Sequence, residues 1–216
     1  MERKFDQTTI SKAYPYLNEK DPVLGKLISH YGPYIPNPPT DPYQSLVRTI
    51  LFQQLGAPAA SAIQKKFFTR LGNSKKTPTP EKILAASDND FRETGVSKQK
   101  MSYLRDLAKW VQEGTLNFSE IQNWNDADVI KHLTRIKGIG EWSAQMFLMF
   151  QLERIDIVPS GDLGVRKGMQ IAYKLSETPN EKECKEIAKK WTPYRTIGSW
   201  YMWKATDEKE DNALFI

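Results

Sequence analysis

The sequence predicts an all-α protein of two helical subdomains, and three observations carry that reading. Apolar residues recur with a 3.6-residue period in nearly every segment between proline and glycine punctuation marks. No segment alternates apolar and polar residues between turn signals, as a half-buried strand does. Several helix starts are announced by a capping residue followed by proline, at Asp41-Pro42, Thr79-Pro80 and Thr192-Pro193.

The elements follow in order. His30 closes a first-segment helix before Tyr31-Gly32, and PYIPNPPTDP, from Pro33 to Pro42, reads as an extended connector. Asp41-Pro42 opens a helix with Leu46, Val47, Ile50 and Leu51 on one face, ending near Leu55-Gly56. Pro58 starts the next, with Ala60, Ile63, Phe67 and Leu71 in register. The lysine-containing stretch Gly72 to Pro80 is an exposed excursion, and another helix follows Thr79-Pro80. Ser97 caps a helix bearing Met101, Leu104, Ala108 and Val111, with Gly114 just past its end, where a left-handed residue belongs.

Next comes LTRIKGIGEWSAQMFLMF, residues 133–150. Glycine costs a helix interior about 0.5–1 kcal/mol relative to alanine, so Gly138 and Gly140 around Ile139 stop one helix and force a turn. Val129, Ile130 and Leu133 line the helix before it; Ala144, Phe147, Leu148 and Phe150 line the helix after it. The result is a helix-hairpin-helix over about 129–150. Ile155-Asp156-Ile157-Val158 could be extended, but Pro159 bounds it and it is too isolated to form a sheet. Helices follow over about 162–175 and 180–191, then one opened by Thr192-Pro193 and rich in Trp200, Tyr201 and Trp203; the tail from about Thr206 frays. Residues 41–154 form a central bundle ending in the hairpin. Residues 1–40 and 155–216 pack as the second subdomain, with a substrate cleft between the two.

Composition limits the function classes. With 216 residues, 39% hydrophobic and 26% charged, the chain can bury one or two real cores and is too polar for a membrane protein. MERKFDQTTI lacks the apolar stretch of a secretory leader. The single cysteine, Cys184, excludes an internal disulfide and any multi-cysteine zinc or iron–sulfur site; it reads as a packed helix thiol in a reducing, intracellular compartment. A net charge of +5 favours a polyanionic partner, although a lysine-rich soluble surface gives the same balance.

The Lys137-Gly138-Ile139-Gly140 turn has chemical potential. It aims backbone N–H groups at the start of the second helix outward, which makes an anion site, and glycine lets a phosphate approach without a Cβ in the way. The carbonyls of Thr134, Ile136 and Ile139 could converge on a monovalent or divalent cation bridging to that phosphate. A plain tight corner between two helices is the alternative.

The motifs L-x-x-I-K-G-I-G-x-W-S-A, V-P-S-G-D-L-G-V-R-K-G, F-Q-Q-L-G-A-P-A-A and P-Y-R-T-I-G-S-W-Y-M-W resemble the helix-hairpin-helix DNA glycosylases, specifically the 3-methyladenine DNA glycosylase II, or alkylpurine, family. The similarity runs from about Pro42 to Lys204, and the aspartate 22 residues beyond Gly140 is its most specific mark. The resemblance implies hydrolysis of the N-glycosidic bond of alkylated purines, 3-methyladenine and 7-methylguanine, in base excision repair. Asp162 would be the carboxylate that stabilises the oxocarbenium-like transition state. Taken by itself, an Asp after Ser-Gly reads as a helix N-cap, and the hairpin upstream together with the matched motif is what favours catalysis. Bifunctional relatives carry a lysine two residues after the second hairpin glycine; here that position is Trp142, so no lyase step is expected.

The same resemblance places a strand-intruding wedge at Gln54, beside Gln53 and Leu55, and a base cleft at Trp142 and Tyr194. Trp200 and Trp203 read as core. Arg135, Lys137, Arg166 and Lys167 would touch phosphates, and neither His30 nor His132 looks catalytic. No cofactor is required, a hairpin cation apart. The partner is double-stranded DNA containing damaged bases, met by a monomer away from any membrane. Two departures stand out: Gly56, where relatives often carry serine or histidine, and Ser160-Gly161 before the key aspartate. A glycosylase for oxidised or mispaired bases and a catalytically silent binder of lesions or abasic sites are the alternatives. The large accessory β-domain of some relatives is missing, so the compact form of the fold is expected.

Overall fold

Side-chain oxygens take up the unpaired amide hydrogens at most helix starts of the computed structural model, which describes residues 6–73 and 76–207. Asp6 opens α1 (Gln7–Lys20), Asp21 opens α2 (Pro22–Tyr31) and Asp41 opens α3 (Pro42–Phe52). Gly56 and Thr79 precede α4 (Ala57–Leu71) and α5 (Pro80–Ala85) without a side-chain cap bond. Ser87 and Asp90 form a reciprocal capping box at α6 (Asp88–Thr94), and Ser97 opens α7 (Lys98–Gln112). Asn117 and Asn125 cap α8 (Phe118–Ile121) and α9 (Asp126–Leu133), and α10 (Glu141–Phe150) follows the glycine turn. Asp162 caps α11 (Leu163–Ala172), Asn180 caps α12 (Glu181–Ala188), and a 3₁₀ turn at Lys189–Trp191 leads to α13 (Arg195–Asp207). Among the described residues there is no strand, and no helix is long and apolar enough to cross a membrane.

Several boundaries differ from those the sequence predicts. The helix expected to reach Leu55-Gly56 ends at Phe52, and Gln54 adopts a left-handed backbone with φ 55°. The helix opened by Thr192-Pro193 begins at Arg195, after a cis peptide bond between those two residues. Thr206 and Asp207 still belong to α13; the rest of the expected frayed tail, residues 74–75 of the excursion and the first five residues lie outside the described residues.

The chain divides into two compact units, one of residues 39–147 and one of residues 1–38 with 148–216, where the sequence reading divides it at 40/41 and 154/155. In the central unit the apolar stripe of α3 (Leu46, Val47, Ile50, Leu51) is fully buried together with Phe67, Phe91, Leu104 and Leu107. Burying each such side chain contributes about 1.5–3 kcal/mol, which is what orders the short helices α5 and α6 around α7.

The terminal unit is organised by a buried carboxylate. Asp21 is fully buried; besides capping α2 through Val23 and Leu24, it accepts hydrogen bonds from the Trp191 indole (2.7 Å) and the Tyr173 hydroxyl, with the Lys190 ammonium at 3.2 Å. Burial and the Asp21 charge push the Tyr173 phenol well above its ordinary range, so it stays a donor. The helices α11 and α13 approach most closely at Gly168, where any Cβ would collide with the Met202 backbone. The Ile155–Val158 run is not a strand because α13 supplies its partners. Thr196 donates to the Arg154 carbonyl and accepts from the Ile157 amide (2.6 and 3.0 Å), while Arg195 grips Asp156 in a fork (2.7 and 3.0 Å).

Replacing Asp21 by alanine strands three donors in or beside the core and should lower unfolding free energy by about 2–5 kcal/mol, read from urea denaturation. Burial raises the Cys184 thiol to about 11, so below that pH it is a protonated, poor nucleophile. Native protein at pH 8 should resist a disulfide-exchange reagent, and labelling should appear only when the chain unfolds.

Candidate functional site

In the central unit the hairpin turn is built as the glycine pattern demands. Gly138 has φ 81° and lies against the Tyr103 ring, so a side chain here would meet both a left-handed backbone and an aromatic wall. Gly140 differs: a Cβ there would meet nothing within 4 Å, and the backbone lies open to a ligand. Not every turn amide points outward. The Lys137 amide donates to Asp106 (2.9 Å) and that of Ile139 to the Ile136 carbonyl (3.1 Å), whereas among the described residues no hydrogen bond engages the amides of Gly138 or Gly140. Within the turn itself, the amides that these bonds leave over are those of the two glycines at the entry to α10.

A cavity of about 550 Å³ opens over this turn, lined by residues 134–140 and by Gln53, Gln54, Lys100 and Tyr103. Thr134, Ile136 and Ile139 all contribute to it, although the Ile136 carbonyl already accepts one hydrogen bond. The Lys137 ammonium stands 3.9 Å from Asp106, and the Arg135 guanidinium lies over the Trp110 ring at 5.2 Å. His132 contacts the Thr115 carbonyl at 3.0 Å and packs edge-on against Trp110 and Trp124, a structural role; His30 is exposed and edge-on to Tyr31.

The three wedge candidates separate. Gln53 is turned back, its amide nitrogen donating to the Gly138 carbonyl at 2.6 Å. Gln54 is exposed with its left-handed backbone, a sparsely populated state for a residue with a side chain, and Leu55 is 40% exposed. A second cavity, of about 540 Å³, joins Gln53 and Gln54 to Trp142, Met146, Phe52 and Arg48. Trp142 is 48% exposed, unusual for so large a side chain, while Arg48 stacks over Phe52 at 4.6 Å. Sequence reasoning missed Ser45, Arg48, Thr49 and Phe52 here. Their signal was a second stripe on α3 at i, i+3, i+4 and i+7, displaced from the core stripe.

In the terminal unit Asp162 is half-buried at the start of α11. Its Oδ1 accepts the Val165 amide at 2.8 Å, so the helix-capping reading holds. It also accepts the Trp203 indole N–H at 2.9 Å, which no cap requires. Gly164 leaves room for this contact, since its Cβ would stand 2.9 Å from the Trp203 ring and 3.0 Å from Asp162 Oδ1. Trp203 is thus not simply core: it positions the carboxylate, and Phe150 and Leu163, 42% and 52% exposed, lie beside the pair, with the Phe150 and Trp203 rings 6.1 Å apart. Two N–H donors, the Val165 amide and the Trp203 indole, fix the orientation of the carboxylate at the start of the helix.

Two expected contributors make packing or hydrogen-bond contacts within the terminal unit. Tyr194 is 6% exposed in the core of its unit, edge-on to Tyr16, because its aromatic ring completes the packing around Trp191. Arg166 turns toward the Pro179 carbonyl (3.4 Å), while Lys167 remains exposed. Trp200 packs against Tyr34 and Tyr201, as expected of a core residue. Among the described residues no cluster of histidine, cysteine and carboxylate side chains could hold a metal.

Comparisons with known proteins align with this geometry. The family model described as HhH-GPD superfamily base excision DNA repair protein matches residues 47–194. DNA-3-methyladenine glycosylase 1 of Schizosaccharomyces pombe is 32% identical, covering 92% of this chain and 89% of its own length. A solved Schizosaccharomyces pombe 3-methyladenine DNA glycosylase in complex with abasic DNA superimposes with a TM-score of 0.83, at 32% identity over 92% of this chain and 98% of that one. The DNA-3-methyladenine glycosidase of Bacillus halodurans gives a TM-score of 0.83 at 34% identity, covering 99% of this chain and 97% of that one.

The two glycines should respond oppositely to a methyl group. Gly138→Ala should cost about 1–3 kcal/mol of stability through its backbone and Tyr103, and Gly140→Ala should stay within about 0.5 kcal/mol of the parent. Thermal and denaturant unfolding of both variants checks the contrast.

Proposed function

The chain belongs to the HhH-GPD superfamily of base excision DNA repair proteins, and from that premise we propose that it is a monofunctional DNA glycosylase releasing alkylated purines. The observation that carries the reading is Asp162 held at Oδ1 by both the Val165 amide and the Trp203 indole. Breaking a C1′–N bond leaves positive charge on the sugar, and a carboxylate whose orientation is already fixed stabilises that charge without reorganising in the transition state. The same carboxylate can orient the attacking water.

Recognition and leaving-group chemistry support each other. N3- and N7-alkylated purines carry positive charge, so they depart without a general acid. They are also attracted to an aromatic face by about 0.5–2 kcal/mol. Trp142, the half-exposed tryptophan that lines the cavity beside Gln54, is the face we assign to the expelled base; buried Tyr194 then supports the core. Gln54 and Leu55 fill the gap left in the stack. The Gly138 and Gly140 amides take the phosphate backbone of damaged duplex DNA. The carbonyls of Thr134, Ile136 and Ile139 remain the candidate seat for a cation there, and Arg135, Lys137 and Lys167 add salt-dependent contacts. Trp142 occupies the position of the lyase lysine, and an indole forms no Schiff base, so water is the nucleophile. We place the protein where genomic DNA is kept, acting as a monomer.

Release of free 3-methyladenine and 7-methylguanine from methylated DNA, followed by chromatography, tests the reading. Asp162→Asn should abolish release while DNA binding persists; turnover by this variant overturns the assignment. Trp203→Phe removes one hydrogen bond to the carboxylate, and should slow excision about tenfold to a hundredfold. Borohydride should trap no covalent protein–DNA adduct.

A further inference from the structure

The segment Gln53-Gln54-Leu55 joins two functions on opposite ends of a few bonds, and its own backbone holds it poorly. The amides of Gln53 and Leu55 reach back to the Ile50 and Phe52 carbonyls at 3.4 Å each, beyond the usual range for such bonds. Gln54 between them is left-handed, a conformation a residue with a Cβ keeps only when its surroundings impose it. Contacts with two other elements of the central unit, α7 and the hairpin, do so. Lys100 of α7 donates its ammonium to the Leu51 carbonyl at 2.7 Å, capping the end of α3 that the left-handed turn leaves without a helical partner. Gln53 donates to the Gly138 carbonyl at 2.6 Å, on the one hairpin residue whose backbone is itself fixed by positive φ and by the Tyr103 wall.

We propose that Gln53 and Lys100 are positioning residues that make the DNA-gripping hairpin and the strand-intruding turn one mechanical piece, Gln53 as the tie and Lys100 as the lock. The bond between Gln53 and Gly138 sets Gln54 and Leu55 at a fixed distance from the glycine amides. Gripping the backbone at the hairpin therefore delivers the wedge at the right depth in the stack. The ammonium suits the lock: it is partly buried at the cavity over the hairpin, and a carbonyl at a helix end is the natural acceptor for it. This inference rests on the glycosylase reading and on Gln54 as wedge.

The test uses two DNA substrates, since expelling a base costs less when it is already unpaired. Single-turnover release of 7-methylguanine is measured from a fully paired duplex and from a duplex in which the lesion sits in a one-nucleotide bulge, for the parent, Gln53→Met, Lys100→Met, Lys100→Arg and Gln54→Ala. Gln53→Met and Lys100→Met should lose about tenfold or more on the paired duplex and only about threefold on the bulge, matching Gln54→Ala; Lys100→Arg should restore most of the loss. The fluorescence rise of 2-aminopurine next to the lesion should fall in parallel, with the salt dependence of binding unchanged. Equal losses on both substrates, or none, overturn the coupling while leaving the glycosylase reading intact. A parent protein that releases no base from either duplex overturns both.

Discussion

The half of the molecule that carries Asp162, the residue we propose as catalytic, depends on one close approach. At Gly168 α11 meets α13 without an intervening side chain, against the Met202 backbone, and the next residue of α13, Trp203, thereby reaches the start of α11 and donates to Asp162. A bulkier residue in place of Gly168 would part the helices and withdraw the indole. The carboxylate would then keep its cap bond to Val165 and lose the contact that gives it direction. Asp21 guarantees the approach from behind, because its bonds to Trp191 and Tyr173 anchor the chain on either side of α12 to the N-terminal helices.

The hairpin half follows a different logic, in which backbone geometry is fixed so that, in the proposed reading, backbone groups can serve as ligands. Tyr103 and a left-handed φ hold Gly138, Asp106 takes the amide of Lys137, and within the turn the two glycine amides are left over. Amides are good for phosphate because they are rigid dipoles that carry no side-chain entropy to lose on binding. The turn after α3 is fixed in the same manner, by Lys100 of α7 and by its own Gln53 reaching the Gly138 carbonyl.

In the proposed function these two constructions divide the work between affinity and chemistry. The net charge of +5 favours a polyanion without choosing a position on it. A half-exposed tryptophan beside a displaced stripe of α3 is, in that reading, an undemanding pocket for a base. Such a pocket suffices when the base is cationic and a willing leaving group, since the labile bond supplies the discrimination that a tight pocket would otherwise provide.

Much was legible in the chain because it is local. Caps such as Asp41, Ser97 and Asp162 and the Gly138 turn are decided within a few residues, by hydrogen bonds and steric limits that the neighbours dictate. The stripe of Leu46, Val47, Ile50 and Leu51 is likewise a one-dimensional pattern. Tertiary structure decided what distant segments do to one another. Tyr194 and Trp203 stand on one short stretch with similar composition, yet one ends in the core against Tyr16 and the other on Asp162. Gln53 and Gln54 are identical neighbours, but only the first finds a carbonyl 85 residues away. Ile155–Val158 looks extended until Thr196 claims its polar groups. Spacing along the chain sets helix faces and turns, whereas which face meets which depends on contacts whose partners no local pattern encodes.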